Sequence, residues 1–227
     1  MKTDRSRPQS ARARQFVRRL LRWYARRGRD LPWRRTRDPY RILVSEIMLQ
    51  QTPVARVLPK YREWLRRYPT WQTLARATAR DVREAWYPLG YNARPVRLRN
   101  IARIVVRRYG GRLPASRDAL LRLDGIGPAT AGALLTFAFG GAEPIVDTNV
   151  RRVLTRAFYG GRAVPERALW DLAADLVRRA DAYDLNQALM DLGAMVCRAR
   201  RPRCPDCPVR AACAACGRAD LRASGSR

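Results

Sequence analysis

The stretch LDGIGPATA, residues 123–131, decides the fold. Gly125 and Gly127 let the backbone turn tightly and approach another backbone closely. Pro128 suits the first turn of a following helix, where its missing N–H is not needed. The stretch therefore predicts a short connection between two helices. Free N–H groups at the start of the second helix would favour a phosphate, although on pattern alone a plain helix–helix turn is the simpler interpretation.

Apolar residues recur at helical spacing on both sides of this turn, beginning at Phe16. Asp38 and Pro39 form an N-cap and first-turn pair that opens another helix. Further helical periods run over residues 57–67, 71–77, 79–87, 95–108, 117–123, 128–139, 148–158, 165–179 and 186–197. No alternating strand pattern and no hairpin signal between strands is found. The sequence predicts an all-α fold with short loops.

The chain carries a large excess of positive charge. It has 47 Lys+Arg against 19 Asp+Glu in 227 residues, a formal net charge of +28. Such an excess repels itself in a compact state unless a polyanion neutralises it. Nucleic acid is the first candidate partner and an anionic membrane surface the second. No run of about eighteen apolar residues is present, so we expect no membrane span. On such a chain, phosphate binding at residues 123–131 becomes the favoured interpretation.

Four cysteines near the C-terminus follow the spacing Cys197-x6-Cys204-x2-Cys207-x5-Cys213. Soft sulfur ligands in a set of four fit a [4Fe–4S] cluster or a structural zinc. Zinc sites usually present two separate C-x2-C pairs or include histidine, and this chain has no histidine. Disulfides are disfavoured because no secretory signal precedes the chain and Cys216 is left over. We therefore expect a [4Fe–4S] cluster.

The motif L-x-G-I-G-x-x-T-A at 123–131, followed by Val146 and Asp147, resembles the helix-hairpin-helix and catalytic loop of the base-excision DNA glycosylase superfamily. The cysteine spacing resembles that of the iron–sulfur branch. Two stretches resemble the MutY adenine glycosylases of this branch: LPWRRTRDPYRILVSEIMLQQTPVARVLP at 31–59 and LNQALMDLGAMVC at 185–197. The resemblance covers roughly residues 15–216.

This resemblance implies two α-helical lobes, with DNA and the extruded base in the cleft between them. Residues 30–141 would form a six-helix barrel lobe with the helix-hairpin-helix at about 117–137. Residues 15–29 and 142–216 would form the cluster lobe. We expect a disordered basic arm at 1–14 and a disordered tail at 217–227, both of polar composition.

The implied function is base-excision repair of double-stranded DNA that carries a mismatched or damaged base. A monomeric enzyme in the prokaryotic cytoplasm, at the nucleoid, would flip out adenine opposite G or 8-oxoG and hydrolyse its N-glycosidic bond. Only eleven residues follow Cys216, so we expect a catalytic core without the family's domain that reads 8-oxoguanine. A thymine/uracil glycosylase acting opposite G is the main alternative. A non-catalytic DNA-binding module is another, which retention of Glu46 and Asp147 disfavours.

The resemblance assigns the catalytic residues to Glu46, Asp147 and Asn149. Glu46 lies in the apolar stretch ILVSEIML, where burial would raise its pKa and let it protonate the base. A solvated or salt-bridged helix residue is the simpler interpretation of Glu46. Asp147 would face the sugar, and as a purely structural residue it would cap the following helix. Asn149 would hold the DNA backbone or sugar.

Other residues are assigned to the base pocket, to DNA or to the cluster by the same resemblance. The residues assigned to the base pocket are Leu31, Trp33, Arg34 and Asp191. Gln51 would wedge into the gap left by the extruded base, and Tyr91 would contact the opposite DNA strand. The next residue, Asn92, replaces a second tyrosine of the family. The phosphate set is Gly125, Ile126, Gly127 and Thr130, and the metal set is Cys197, Cys204, Cys207 and Cys213. Core packing remains open for Trp33, and a helix-surface charge for Asp191.

Position 129 departs from the pattern of bifunctional relatives. They carry a lysine there that forms a Schiff base, whereas this chain has Ala129. Alanine supplies no amine, so we expect no lyase step by that route. Asp124 also stands where the family usually has proline, next to the expected phosphate site.

Overall fold

A computed structural model of the chain describes residues 6–216, with side chains from residue 11 onward. Its regular structure is helical, and no β-strand occurs in this range, which confirms the predicted all-α class. The chain divides into two compact units. Residues 31–141 form what we term the central unit; the residues before 31 and those from 142 onward form the terminal unit. None of the helices in residues 6–216 is long and apolar enough to cross a membrane.

The central unit begins with a 3₁₀ turn, Pro32–Arg34, and continues with helices α2 to α8. Their bounds are α2 Pro39–Leu49, α3 Val54–Arg67, α4 Trp71–Arg76, α5 Ala79–Trp86, α6 Ala93–Tyr109, α7 Arg117–Leu121 and α8 Pro128–Phe137. Helix α2 packs against α3, α6 and α8. Seven of its residues are buried: Tyr40, Ile42, Leu43, Val44, Ser45, Ile47 and Met48. A helix that is apolar on most of its faces belongs in a core, and α2 is the core helix of this unit.

The start of α2 follows from the Asp38–Pro39 pair, as predicted. Asp38 has an extended backbone, and its Oδ1 accepts a hydrogen bond from the N–H of Tyr40 at 2.8 Å. Pro39 occupies the first turn, where it needs no hydrogen-bond acceptor for its nitrogen. These two residues therefore fix where the chain enters the core.

The terminal unit consists of helices from both ends of the chain. Their bounds are α1 Ser6–Arg27, α9 Thr148–Tyr159, α10 Glu166–Val177 and α11 Ala182–Asp191, followed by a π-helical turn Leu192–Val196 and a 3₁₀ turn Arg210–Ala212. Phe16 and Leu20 of α1 share one hydrophobic core with Val150 and Leu154 of α9. The ring of Phe16 lies 5.0 Å from that of Phe158, centroid to centroid. This core holds α9 in place.

Two predicted boundaries were wrong. Helix α1 begins at Ser6, so residues 6–14 are helical and do not form a disordered arm. The physical reason is that Ala13 is buried against the terminal core, which a purely compositional argument could not show. The predicted helix at 186–197 begins earlier, at Ala182, because Asp181 caps it by accepting from the N–H of Asp184 at 2.9 Å. The rest of the predicted arm, residues 1–5, and the predicted tail, residues 217–227, lie outside the described residues.

Arg12 ties the start of α1 to the terminal unit. Its Nε donates to the carbonyl of Ala212 at 2.8 Å and its Nη2 to the carbonyl of Ala157 at 2.5 Å. Its guanidinium also lies 5.7 Å from the centroid of the Phe158 ring. Residues of the predicted arm therefore hold α9 and the last 3₁₀ turn together.

We predict that Arg12→Ala lowers the free energy of unfolding by about 2 kcal/mol, because it leaves two carbonyls without a charged donor. The matched control is Arg18→Ala, which removes an exposed arginine of the same helix and should stay within about 0.5 kcal/mol of wild type. Urea denaturation of the full chain measures both. Equal stability of the two variants would contradict the role of Arg12.

Candidate active site and cysteine loop

Asp147 lies at the N-cap of α9, where its backbone is extended. Its Oδ1 accepts a hydrogen bond from the N–H of Val150 at 2.7 Å. Burial raises the pKa of the Asp147 carboxyl, while hydrogen bonds from Val150 and Asn149 and the charge of Arg152 act in the opposite direction. The cap predicted from the sequence is present, and backbone donors fix the orientation of the same carboxylate.

Asn149 is held against the π-helical turn that follows α11. A Cβ added to Gly193 would lie 2.7 Å from the Cβ of Asn149, so this close approach requires glycine. Asn149 Oδ1 accepts from Arg152 Nη2 at 2.7 Å, and Arg152 Nη2 also donates to the carbonyl of Gly193 at 2.7 Å. The residue pair Asp147 and Asn149 is therefore fixed at the start of one helix.

Two arginines on α9 connect this helix to the loop that begins at Cys197. Arg152 Nε donates to the carbonyl of Cys197 at 2.7 Å. Arg156 Nη1 donates to the carbonyl of Arg198 at 2.7 Å and lies 3.6 Å from Cys197 Sγ, and its Nη2 donates to the carbonyl of Ala199 at 3.1 Å. The first residues of the cysteine loop are thus bonded to the helix that carries Asp147.

The cysteines of this loop are half-buried, with free thiols. Burial raises the pKa of the Cys207 thiol to about 12 and also raises the pKa of Cys204 and Cys213. The charge of Cys197 contributes to each of these three shifts in pKa, so the four thiols interact electrostatically. The three thiols whose pKa is raised are protonated at neutral pH, and a thiol loses its proton when it binds a metal. The donor chemistry fits a cluster with four sulfur ligands.

The thiols do not surround a single ion as they stand. Four cysteines around one zinc would have their sulfurs about 4 Å apart, because each Zn–S bond is about 2.3 Å. Within residues 6–216 no group of three or more His, Cys, Asp or Glu side chains is arranged to hold a metal ion.

Cys216, the fifth cysteine, lies outside the predicted ligand set and forms a second C-x2-C pair with Cys213. Its charge contributes to the raised pKa of both Cys204 and Cys213.

Glu46 lies on α2 within its buried apolar run. Its side chain is half-buried, whereas its neighbours Ser45 and Ile47 are each 1% exposed. Glu46 is thus more exposed than the residues on either side of it, and its role as a proton donor stays a prediction.

The turn after α2 carries Gln51, which is exposed and has a left-handed backbone with φ of 54°. Tyr91, exposed in the turn between α5 and α6, also has a positive φ, of 50°. Such backbone costs on the order of 1 kcal/mol in residues other than glycine and persists only where the surroundings enforce it. In both turns the surroundings include Arg94.

Arg94 is buried at the start of α6, and the sequence analysis did not single it out. Its guanidinium donates to six oxygens: the carbonyls of Ile47, Met48, Gln50, Leu89 and Gly90 and the hydroxyl of Thr52. Arg94 therefore connects the turn of Gln51 with the turn of Tyr91. Its spacing from Leu98 and Ala102 places it on the buried face of α6, which was the available signal in the sequence.

The residues assigned to the base pocket are in both units. Leu31, Trp33 and Arg34 begin the central unit, and Trp33 is 7% exposed, with its ring 5.2 Å from that of Tyr61. Asp191 belongs to the terminal unit and is 0% exposed, so it is not the helix-surface charge considered above.

Arg29 is the partner of Asp191. Its Nε and Nη2 each lie 2.7 Å from Asp191 Oδ1, and its backbone N–H donates to Oδ2 at 2.8 Å. The buried carboxylate is thereby neutralised and oriented. The sequence analysis missed Arg29, since nothing distinguishes it among so many arginines.

The turn between α7 and α8 has the geometry that its glycines predict. Gly125 has φ of +90°, and a Cβ there would lie 3.3 Å from Arg97 Cδ. Ile126 is buried and its N–H donates to the carbonyl of Leu123 at 3.0 Å, whereas Gly127 faces open space. Thr130 is buried in the first turn of α8. The extra carboxylate of Asp124 lies 3.3 Å from Arg97 Nε, which offsets its charge.

Comparison with known proteins gives consistent matches along the chain. Residues 44–174 match the model of the HhH-GPD superfamily base excision DNA repair proteins. The adenine DNA glycosylase of Homo sapiens is 44% identical over 223 residues, covering 91% of this chain and 41% of that protein. The adenine DNA glycosylase of Mycobacterium tuberculosis is 46% identical over 195 residues, covering 84% of this chain and 64% of that protein. The chain thus spans less than two thirds of these relatives.

Two further matches cover most of both proteins compared. The thymine/uracil-DNA glycosylase of Pyrobaculum aerophilum is 37% identical over 198 residues, covering 84% of this chain and 86% of that protein. The solved structure of a thermostable thymine-DNA glycosylase superposes with a TM-score of 0.85 at 34% identity, covering 91% of this chain and 97% of that one. The chain belongs to the HhH-GPD superfamily of base excision DNA repair proteins.

Proposed function

We propose that this chain is a monofunctional DNA glycosylase that removes mispaired adenine opposite G or 8-oxoG. The observation that carries the proposal is the start of α9, where a half-buried Asp147 is held by backbone donors beside a fixed Asn149. Relatives named adenine DNA glycosylases, 44% to 47% identical over most of this chain, support adenine as the base. In this proposal the chain acts as a monomer on the chromosome of a prokaryotic cell.

The proposed chemistry divides between two carboxyl groups. Flipping the nucleotide out of the duplex exposes the N-glycosidic bond. Glu46 donates a proton to N7 of adenine, so that the bond electrons can leave with the base. The ionised Asp147 stabilises the positive charge that develops on the sugar, as carboxylates do in glycoside hydrolysis. Water then adds to C1′ and releases a proton, giving free adenine and an abasic site.

DNA would be held through the turn between α7 and α8 and through the excess of arginine. Backbone N–H groups of Gly125 and Gly127 and the start of α8 at Thr130 would bind a phosphate. Ile126 would hold the turn in shape, because it is buried and its N–H already bonds to the carbonyl of Leu123. Gln51 would fill the gap left by the base, and Tyr91 would meet the opposite strand. Leu31, Trp33 and Arg34 of the central unit would contact the base. Asp191 of the terminal unit is also proposed for base recognition, and the ion pair to Arg29 would fix its carboxylate.

A lyase step is not part of the proposal. Ala129 supplies no amine, and the only lysines of the chain are Lys2 and Lys60. Lys60 forms an ion pair with Glu63 at 2.7 Å. The product should therefore be an intact abasic site.

The cysteine loop would hold a [4Fe–4S] cluster through Cys197, Cys204, Cys207 and Cys213. The electrostatic coupling of the thiols and the donors from Arg152 and Arg156 support this assignment. When bound, the cluster would cross-link the loop. No reaction step is assigned to it.

Removal of thymine or uracil opposite G is the second candidate. It is favoured by the thymine/uracil-DNA glycosylase of Pyrobaculum aerophilum, 37% identical over 198 residues, and by the thermostable thymine-DNA glycosylase structure, which superposes with a TM-score of 0.85. The two candidates differ in their need for a proton on the base, because a purine leaves after N7 protonation and a pyrimidine has no such nitrogen.

We predict that single-turnover assays on A·8-oxoG, A·G, T·G and U·G duplexes show excision of adenine by the wild-type chain. Glu46→Gln should slow adenine excision by about a thousandfold, because glutamine cannot donate the proton. The matched control is Glu63→Gln, which neutralises an exposed carboxylate elsewhere in the central unit and should retain the wild-type rate. Excision of thymine or uracil alone, with a mild effect of Glu46→Gln, would overturn the choice of base.

We also predict that the anaerobically purified chain is brown and contains about four irons per molecule. Cys204→Ser should lose the cluster and much of the soluble yield, whereas Cys216→Ser should keep about four irons. Elemental analysis and absorption near 400 nm measure both. A colourless protein with one equivalent of zinc would contradict the assignment.

A further inference from the structure

The turn between α5 and α6 exposes two tyrosine rings. Tyr87 is 76% exposed and Tyr91 61% exposed, and the other exposed large hydrophobic side chains described, Leu121 and Phe139, are 39% and 37% exposed. Single exposed aromatics are ordinary on protein surfaces. Two in five residues, both far more exposed than the others, form a local apolar feature that indicates a binding surface.

The backbone that carries the two rings is held at three successive carbonyls. The carbonyl of Pro88 accepts from Arg56, and that of Leu89 accepts from Arg94 Nη2 at 3.3 Å. The carbonyl of Gly90 accepts from Arg94 Nη2 at 3.2 Å and from the indole N–H of Trp86 at 3.1 Å. Leu89, between the two tyrosines, is only 3% exposed and anchors the turn in the core. Rings presented by such a preorganised backbone lose little conformational freedom on binding.

The same guanidinium fixes the turn of Gln51 beside this one. Arg94 Nη1 donates to the carbonyl of Gln50 at 2.5 Å, and Nη2 donates to the hydroxyl of Thr52 at 3.0 Å. The guanidinium also lies 5.1 Å from the centroid of the Tyr91 ring. The tyrosine turn and the exposed Gln51 are therefore held at a fixed separation within the central unit.

We propose that Tyr87 and Tyr91 together form a stacking platform for DNA bases, in which Tyr87 contacts a base next to the flipped nucleotide. The inference rests on the proposed function for its ligand, double-stranded DNA. Flipping one nucleotide exposes the faces of its neighbours, and aromatic side chains stack on any base because every base has a π-face.

The charge near this surface favours DNA over an apolar partner. The chain carries a net charge of +28, and the guanidinium of the exposed Arg56 donates to the carbonyl of Pro88 in the tyrosine turn. Arg83, also exposed, precedes this turn by one helical turn, and its carbonyl accepts from the N–H of Tyr87. Phosphates on either side of a stacked base would be attracted by these arginines. A protein groove built for the two rings would have to bury the same arginines, at a cost in desolvation.

The test measures binding of the full chain to a duplex that carries a tetrahydrofuran abasic analogue, with 2-aminopurine next to the analogue in the same strand. We expect Tyr87→Ala to raise the Kd about tenfold and to weaken the quenching of 2-aminopurine, since the ring no longer stacks. Tyr87→Phe should bind as wild type does, because the ring and not the hydroxyl makes the contact. The slope of log Kd against log salt should be the same in all three proteins, because no phosphate contact is lost.

Tyr109→Ala is the matched control, since it removes a partly exposed tyrosine at the other end of α6 and should leave the Kd unchanged. A Kd for Tyr87→Ala within twofold of wild type would overturn the proposal, as would Tyr87→Phe binding as weakly as Tyr87→Ala. Excision assays on the wild-type chain separate this inference from the proposed function. If Tyr87 matters for binding but no base is removed, the platform stands and the glycosylase assignment fails.

Discussion

The hydrogen bond from the Val150 N–H to Asp147 Oδ1 sets the start of α9, and the terminal unit depends on where that helix starts. Asn149, Arg152 and Arg156 follow two, five and nine residues after Asp147. Each of the two arginines then bonds to the loop that begins at Cys197. One helix therefore orders a carboxylate at its N-terminus and a thiol loop along its side, and the core of Phe16 and Leu154 holds that helix in the fold.

Opposing effects act on the pKa of the Asp147 carboxyl group. Burial disfavours its charge and raises its pKa, whereas two backbone donors and the positive end of the helix dipole favour the charge. Burial and backbone donors would both help a carboxylate to stabilise a developing cation. Desolvation strengthens its interaction with a nearby positive charge, and the donors keep it oriented. In the central unit the corresponding buried charge is the cation Arg94. Its hydrogen-bond acceptors described here are neutral oxygens at the ends of two turns.

Much of the fold was predictable because its determinants are local. The caps at Asp38 and Asp147, the glycine turn before Pro128 and the helical periods all depend on neighbours within a few residues. The start of α1 was not predictable, since only the long-range contacts of Arg12 and Ala13 make that polar segment helical. The roles of Arg29, Arg94 and Arg152 were hidden for a different reason. In so arginine-rich a chain, composition does not distinguish an arginine that bonds to buried oxygens from one that faces solvent.

The most direct test of the account is the pH dependence of single-turnover base excision by wild type and Asp147→Asn. In the proposed mechanism the rate needs the ionised carboxylate, so the wild-type rate should fall as pH drops through a pKa above the ordinary value of 3.8. Asparagine caps a helix as well as aspartate does, so Asp147→Asn should keep the fold and duplex binding while losing about a thousandfold in rate at neutral pH. The difference from wild type should shrink as the wild-type carboxylate becomes protonated. Near-wild-type excision by a folded Asp147→Asn protein would contradict the account.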